Sequence, residues 1–187
     1  MTHAAPFNGD SFLAQEIRSL CQTHHVATIV ETGTAQGHST RAMATMAPRV
    51  FTVEIAFDPS PLDLGPNVTA LQGNSARALP KILAQALAPF LFYLDAHGPV
   101  HSPLLDELGA IAQANAHSPI IVIHDFFNPL HQELGFDSWD IGPYTLQLIT
   151  PLLERIYPDG YAFHYNSQST GAQRGAIFIY PKQNERP

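Results

Sequence analysis

Two groups of residues in this chain are of types, and at spacings, that can do chemistry. The first lies in the run Ile-Val-Glu-Thr-Gly-Thr-Ala-Gln-Gly-His-Ser-Thr from Ile29 to Thr40, with Glu31, Gly33, Gly37 and Ser39 as its marked positions. Glycines let a backbone turn with positive φ and come close to a ligand, and a helix start behind them offers free N–H groups. This turn therefore suits the floor of a nucleotide-type cofactor site. It does not meet the nicotinamide fingerprint G-x-G-x-x-G, because Ala35 stands between Gly33 and Gly37 where a glycine pattern would differ. The second group is Asp95, His97, His101, His124, Asp125 and His131, and five of the ten histidines fall between positions 97 and 131. Carboxylates suit Mg2+ or Mn2+, and an imidazole in the set moves the preference toward Mn2+, Fe2+ or Zn2+.

Elements that position these groups follow from periodicity. Ala27–Val30, Val50–Ile55, Val68–Leu71, Pro89–Asp95 and Pro119–Asp125 are short apolar, β-rich runs that end in polar residues. Between them, helical spacing is predicted over Arg41–Ala47, over Ala76–Leu87 with Pro80 inside, and over the segment bearing Leu104, Leu105, Leu108, Ile111 and Ala112, where Ser102 and Pro103 supply a start. Ahead of the first strand, Phe12, Leu13, Ile17, Leu20 and Cys21 mark a packing helix capped by Asp10 or Ser11. Strands alternating with helices give an α/β, Rossmann-like doubly wound, mostly parallel sheet, whose ligands bind at the carboxyl ends of the strands. Glu54 ends the second strand about 20 residues past the glycine turn, where such folds place the acid that accepts from ribose hydroxyls. Residues 126–144, with Phe127, Phe136, Trp139 and Tyr144 among polar side chains, read as a substrate lid. A helix over Thr145–Tyr157, stepped at Pro151, precedes Tyr161–Asn166 and Gly175–Tyr180, a C-terminal antiparallel hairpin joined by Ser167–Arg174.

At 187 residues and 45% hydrophobic content the chain suits a single domain over 1–187, with 1–26 as an N-terminal helical segment. Its net charge is −7, and its nine lysines and arginines form no stripe, which argues against a nucleic-acid partner. The lone cysteine, Cys21, excludes a disulfide framework and reads as a buried structural thiol. No apolar run approaches a membrane span and the N-terminus lacks a secretory pattern, so the expectation is a cytoplasmic protein without a membrane partner.

The run Glu31-x-Gly33-x-x-x-Gly37-x-Ser39 resembles motif I of class I S-adenosylmethionine-dependent methyltransferases. Over residues 27–130 the likeness is to their metal-dependent O-methyltransferase branch, the catechol and caffeoyl-coenzyme A type, with the macrocin type more distant. That branch reads E-x-G-x-x-x-G-Y-S, here with His38 in the aromatic place, followed by a V-E-I trio as at Val53-Glu54-Ile55. Its V-T-L-x-x-G-x-S segment is matched by Val68-Thr69-Ala70-Leu71-Gln72-Gly73-Asn74-Ser75 with Pro80 beyond, and its L-D-H strand ending by Leu94-Asp95-Ala96-His97. The resemblance implies a seven-stranded sheet with the last strand inserted antiparallel beside the fifth. It implies S-adenosylmethionine held by Glu31, Gly33, Gly37, Ser39, Glu54, Gly73, Ser75 and Asp95, with Ser75 near the adenine. Two positions depart: the lysine that acts as base in the catechol enzymes falls on Gly98, and the first metal carboxylate of strand five is His124.

The expected reaction is methylation of an oxygen on a small hydroxylated acceptor, which needs alignment with the sulfonium methyl and a route for the proton. Asp95, His97 and His124 are the catalytic candidates. Asp95, His124 and Asp125 are the expected ligands of a divalent metal, Mg2+ or Mn2+, because two carboxylates at the ends of apolar strands repel unless a cation lies between them. Two other classes fit part of the pattern: a metallohydrolase using the Asp/His cluster, and a cofactor-binding protein without catalysis.

Overall fold

The computed structural model describes residues 5–98, 101–114, 116 and 118–182. Strands β1 (Thr28–Thr32), β2 (Arg49–Glu54), β3 (Val68–Gln72), β4 (Phe90–Leu94), β5 (Ile120–His124), β6 (Ser138–Trp139), β7 (Gly142–Pro143), β8 (Tyr161–Tyr165) and β9 (Ala176–Pro181) alternate with five helices. These are α1 (Ser11–Thr23), α2 (His38–Met43), α3 (Ser75–Leu83), α4 (Leu104–Gln113) and α5 (Leu146–Ile156). Seven strands form one sheet in the order β3-β2-β1-β4-β5-β9-β8. β1 to β5 are parallel, β9 is antiparallel to β5, and β8 is antiparallel to β9.

Alternation along each strand sorts the core into two layers. Val30, Phe51, Val53, Phe92, Ile121, Ile123, Ile177 and Ile179 face one side, against Leu79 and Ile82 of α3, Leu108 and Ile111 of α4, and Ile149 and Leu153 of α5. Their neighbours Ile29, Val50, Leu91, Tyr93, Val122 and Phe178 face the other, against Ile17 and Cys21 of α1 and Met43 of α2. Both faces are covered, which is why these strands read as unbroken apolar runs. Truncating a fully buried residue such as Phe92 would cost roughly 3–5 kcal/mol. Cys21 is buried here, and burial pushes its thiol up to about 11, as a structural cysteine requires.

Three local differences from the sequence expectations have physical causes. Helix α3 begins at Ser75, where the Asn74 side chain accepts the Arg77 N–H at 3.1 Å, and ends at Leu83, where the Gln85 N–H turns back to Ile82 O at 3.1 Å. The N-terminal stretch, aperiodic in sequence, folds into a turn at Pro6–Gly9 that buries Phe7 edge-on to Tyr93, ring centroids 5.5 Å apart. The expected lid is no free loop: Phe127 N–H donates to Tyr144 O at 2.9 Å, β6 pairs with β7, and the Gly175 N–H donates to Gly135 O at 2.8 Å. His117, one of the histidines counted above, lies outside the described residues.

Candidate functional site

The order of the sheet reverses between β1 and β4, and the residues singled out by type gather at the carboxyl ends of these strands. Gly33 follows β1 with φ +88°, and a Cβ on it would lie 2.6 Å from the Asp95 carbonyl oxygen, so only glycine lets the ends of β1 and β4 meet. The coil then carries Ala35 at φ +45°, which aims its N–H at Glu54 Oε2, 2.9 Å away. The other carboxylate oxygen accepts the Ala56 N–H at 2.9 Å. Glu54 is thus fixed at the end of β2 by two backbone donors, over a cleft of about 480 Å³. Gly33, Glu54, Gly73, Ser75, Asp95 and His97 all line that cleft.

Glu31, Gly37 and Ser39 are not brought into it. The Glu31 side chain is buried beneath the turn, where one oxygen accepts from Thr40 and, at 2.6 Å, from Thr52. Burial pushes its carboxyl up to about 8, against the pull of those two hydroxyls. Gly37 caps the start of α2 with φ +72° beside the Leu64 side chain. The Ser39 hydroxyl accepts the Phe7 N–H at 2.8 Å and so anchors the N-terminal turn. These three shape the floor from behind, because a side chain on a strand or helix reaches only the layer its Cβ faces. Ser75 lines the cleft but gives its hydroxyl hydrogen to Glu107, whose carboxyl burial pushes up to about 7.

At the far end of the cleft the acids and imidazoles form a network. His124 is buried, with Nδ1 3.1 Å from Asp95 Oδ1 and 3.2 Å from Asp125 Oδ1. Burial opposes its charge, yet Asp95 and its bonds to both carboxylates hold the imidazole well above its ordinary value. His97 Nε2 stands 3.1 Å from Asp125 Oδ2 and 2.9 Å from Asp137 Oδ2, and the bond to Asp125 raises it too. Arg174, from the β8–β9 connection, donates from Nε to Asp125 and from Nη2 to Asp137. Asp125 is buried, but its bonds from His124, His97 and Arg174 outweigh burial and keep it ionised. It sits at φ +56°, a left-handed conformation that aspartate tolerates better than most residues.

The expected metal set changes accordingly. The atoms that converge are those of Asp95, His97 and Asp125, which lie within 4.8 Å of one another. His124 is instead the charged partner wedged between the two acids. The carboxylates therefore do not need an ion to stay together, because His124 and Arg174 already supply the positive charge. His101 and His131 stand apart, paired with Asp140 at 3.3 Å and Glu133 at 3.0 Å.

No family model matches the sequence, and no curated protein matches it. Solved structures do. An O-methyltransferase from Bacillus cereus in complex with S-adenosylhomocysteine superposes with a TM-score of 0.61 at 18% identity, over 92% of this chain and 81% of that one. TomG, an O-methyltransferase from Streptomyces achromogenes in complex with S-adenosylmethionine, gives 0.63 at 16% identity over 92% and 81%. MycE, a methyltransferase of mycinamycin biosynthesis in complex with magnesium and S-adenosylhomocysteine, gives 0.60 at 15% identity over 93% and 49%. The chain shares the α/β fold of these structures.

Within that fold, two residues of the site are not singled out from the sequence, while Asp137 lies among the recognition side chains of the expected lid. Arg174 lies in a polar connection with nothing local to mark it, since it meets Asp125 across 49 residues of chain. Glu107 carried a usable signal: it stands between Leu104, Leu108 and Ile111 on the apolar side of α4, where an acid needs a buried partner. Tyr144 and Trp139 were read as recognition side chains. They flank the site with Tyr144 Oη and Trp139 Nε1 buried and without hydrogen-bond partners among the described residues, and the Trp139 ring is stacked 6.2 Å from His97.

Proposed function

We propose that this protein transfers the methyl group of S-adenosylmethionine to an oxygen of a small hydroxylated acceptor. The observation that carries the reading is Glu54, held by two backbone N–H groups at the end of β2, over a cleft whose walls are Gly33, Gly73 and Ser75. A carboxylate fixed this way has lone pairs left for a pair of vicinal ribose hydroxyls. The bound cofactors of the Bacillus and Streptomyces structures lend the same reading support.

The acceptor would enter beside His97 and His101, which line the cleft. Transfer asks for its oxygen, the methyl carbon and the sulfur to stand in line, and for the hydroxyl proton to leave. His97 Nε2 is held by Asp125 and Asp137, so Nδ1 is the nitrogen that takes the proton. Arg174 fixes both acids and through them the imidazole. The products are the methyl ether, S-adenosylhomocysteine and the proton passed to His97.

A divalent ion fits the donor set Asp95, His97 and Asp125, two oxygens and one imidazole nitrogen, with Mg2+ or Mn2+ the expected occupant, and His97 would then serve as a ligand in place of its role as base. When bound it would supply a Lewis acid that lowers the pKa of the acceptor hydroxyl. We read the protein as one cytoplasmic domain without a nucleic-acid partner, in keeping with its −7 charge. Among the described residues no helix is long and apolar enough to cross a membrane.

Transfer of label from methyl-labelled S-adenosylmethionine to a panel of hydroxylated acceptors, with metal and with chelator, tests the reading. Cofactor binding without labelled product on any acceptor would favour a binding protein that lacks catalysis. Absence of cofactor binding would end the methyltransferase reading.

A further inference from the structure

We propose that the acceptor carries a protonated amine besides its reacting hydroxyl, and that carboxylated or phosphorylated acceptors are rejected; this rests on the methyltransferase reading above. No lysine or arginine occurs between Lys81 and Arg155, the stretch that supplies β4, β5, α4 and the β6–β7 segment around the acceptor end of the cleft. Arg174, the guanidinium that reaches the site among the described residues, is already engaged by Asp125 and Asp137.

An anion without a guanidinium or ammonium can still dock on a helix N-terminus. Two helix starts border this cleft: that of α3, at the Gly73–Ser75 wall read above as the cofactor's, and that of α4, whose first turn carries Asp106 and Glu107, with Asp106 lining the cleft. A bound anion there would face a carboxylate instead of a bare N–H cluster. Asp140 adds another acid at the rim, 3.3 Å from His101.

A second observation gives room for one polar group of a ligand. Tyr144 is 4% exposed, and its hydroxyl has no partner among the described residues. It borders a cavity of about 10 Å³, room for a single hydroxyl or amine, with Asp95, His97, Glu107 and His124. A buried hydroxyl left unpaired is costly, and a ligand hydroxyl or amine in that space would satisfy it. Acids around an unpaired hydroxyl, with no unpaired lysine or arginine at the site among the described residues, fit an amino alcohol, an amino sugar or a phenolic amine.

The test uses two series matched in shape and differing in charge: tyramine, para-ethylphenol and para-hydroxyphenylacetate, and glucosamine, glucose and glucuronate. Each is titrated into the protein loaded with S-adenosylhomocysteine, and the prior titration of that cofactor tests the underlying reading separately. The cationic member of at least one series should bind, about tenfold tighter than its anionic counterpart, the sum of several weak surface-type charge contacts. Asp140→Lys, a change at an exposed rim residue, should weaken the cationic member about threefold and leave the neutral one unchanged. Equal or tighter binding of the anionic member overturns the proposal. So does failure of both cationic members to bind to cofactor-loaded protein.

Discussion

Replacing Glu31 by Gln separates a floor residue from a cofactor contact. The Glu31 carboxyl is 1% exposed and its folded pKa is raised from 4.5 to about 8. A raised folded value means that the native state holds a proton the unfolded chain releases. The stabilisation is therefore complete below pH 4.5, declines as pH rises, and is gone above pH 8. Between pH 5 and pH 7 the wild type should lose about 2.5 kcal/mol on this account alone, which is roughly 5–10 °C in Tm for a domain of this size. The Gln variant keeps an oxygen for Thr40 and Thr52 and has no proton to lose, so its stability should not share that slope. Urea or thermal melts of both proteins from pH 5 to pH 8 measure the difference directly. Parallel curves for the two would show that Glu31 is ionised in the fold and refute the reasoning. Because Glu31 does not line the cleft, the variant should also hold S-adenosylhomocysteine within about threefold of wild type, or about 0.7 kcal/mol.

Other expectations follow from the same contacts. Gly33→Ala would place a methyl 2.6 Å from the Asp95 carbonyl at a positive φ, and should cost at least about 2 kcal/mol in urea unfolding; an unchanged midpoint would mean that the ends of β1 and β4 are not this close. Arg174→Gln should destabilise by roughly 2–4 kcal/mol, since it leaves Asp125 buried with one cation fewer, and a fold as stable as wild type would show that the clamp is ornamental. Glu54→Ala should lower the melt even without cofactor, because the N–H groups of Ala35 and Ala56 lose their acceptor, and a melt identical to wild type would contradict those bonds. Chelator should leave the melt of the protein unmoved, because His124 and Arg174 already balance the acids, whereas added Mn2+ should raise it and Asp95→Asn should abolish that rise. A melt that collapses in chelator would return the ion to a structural role.

Much of the architecture was legible because its signals are local. Phe90–Leu94 and Ile120–His124 are unbroken apolar runs with polar tips, so they had to be strands buried on both faces. The glycine turn and Glu54 were legible from type and spacing. What sequence could not show is which way a side chain points once a motif is folded: Glu31 and Ser39 match a cofactor motif, yet both face inward, to Thr52 and to Phe7. Nor could it show charge arriving from afar. Asp95 and Asp125 looked like two acids in want of a metal, and Arg174 from the terminal hairpin together with the neighbouring His124 supplies the cations. Phe7 escaped because a single buried aromatic in a glycine- and proline-bearing turn has no periodicity to announce it.

Calorimetric titration of S-adenosylhomocysteine into wild type and Glu54→Gln tests the central claim most directly. One molecule should bind per chain, and the Gln variant should lose about 1.5–3 kcal/mol of affinity, tenfold or more, the usual worth of a hydrogen bond to a charged group. No binding to the wild type, or equal binding by the two proteins, would contradict a cofactor held by Glu54 in the cleft between β1, β2 and β4.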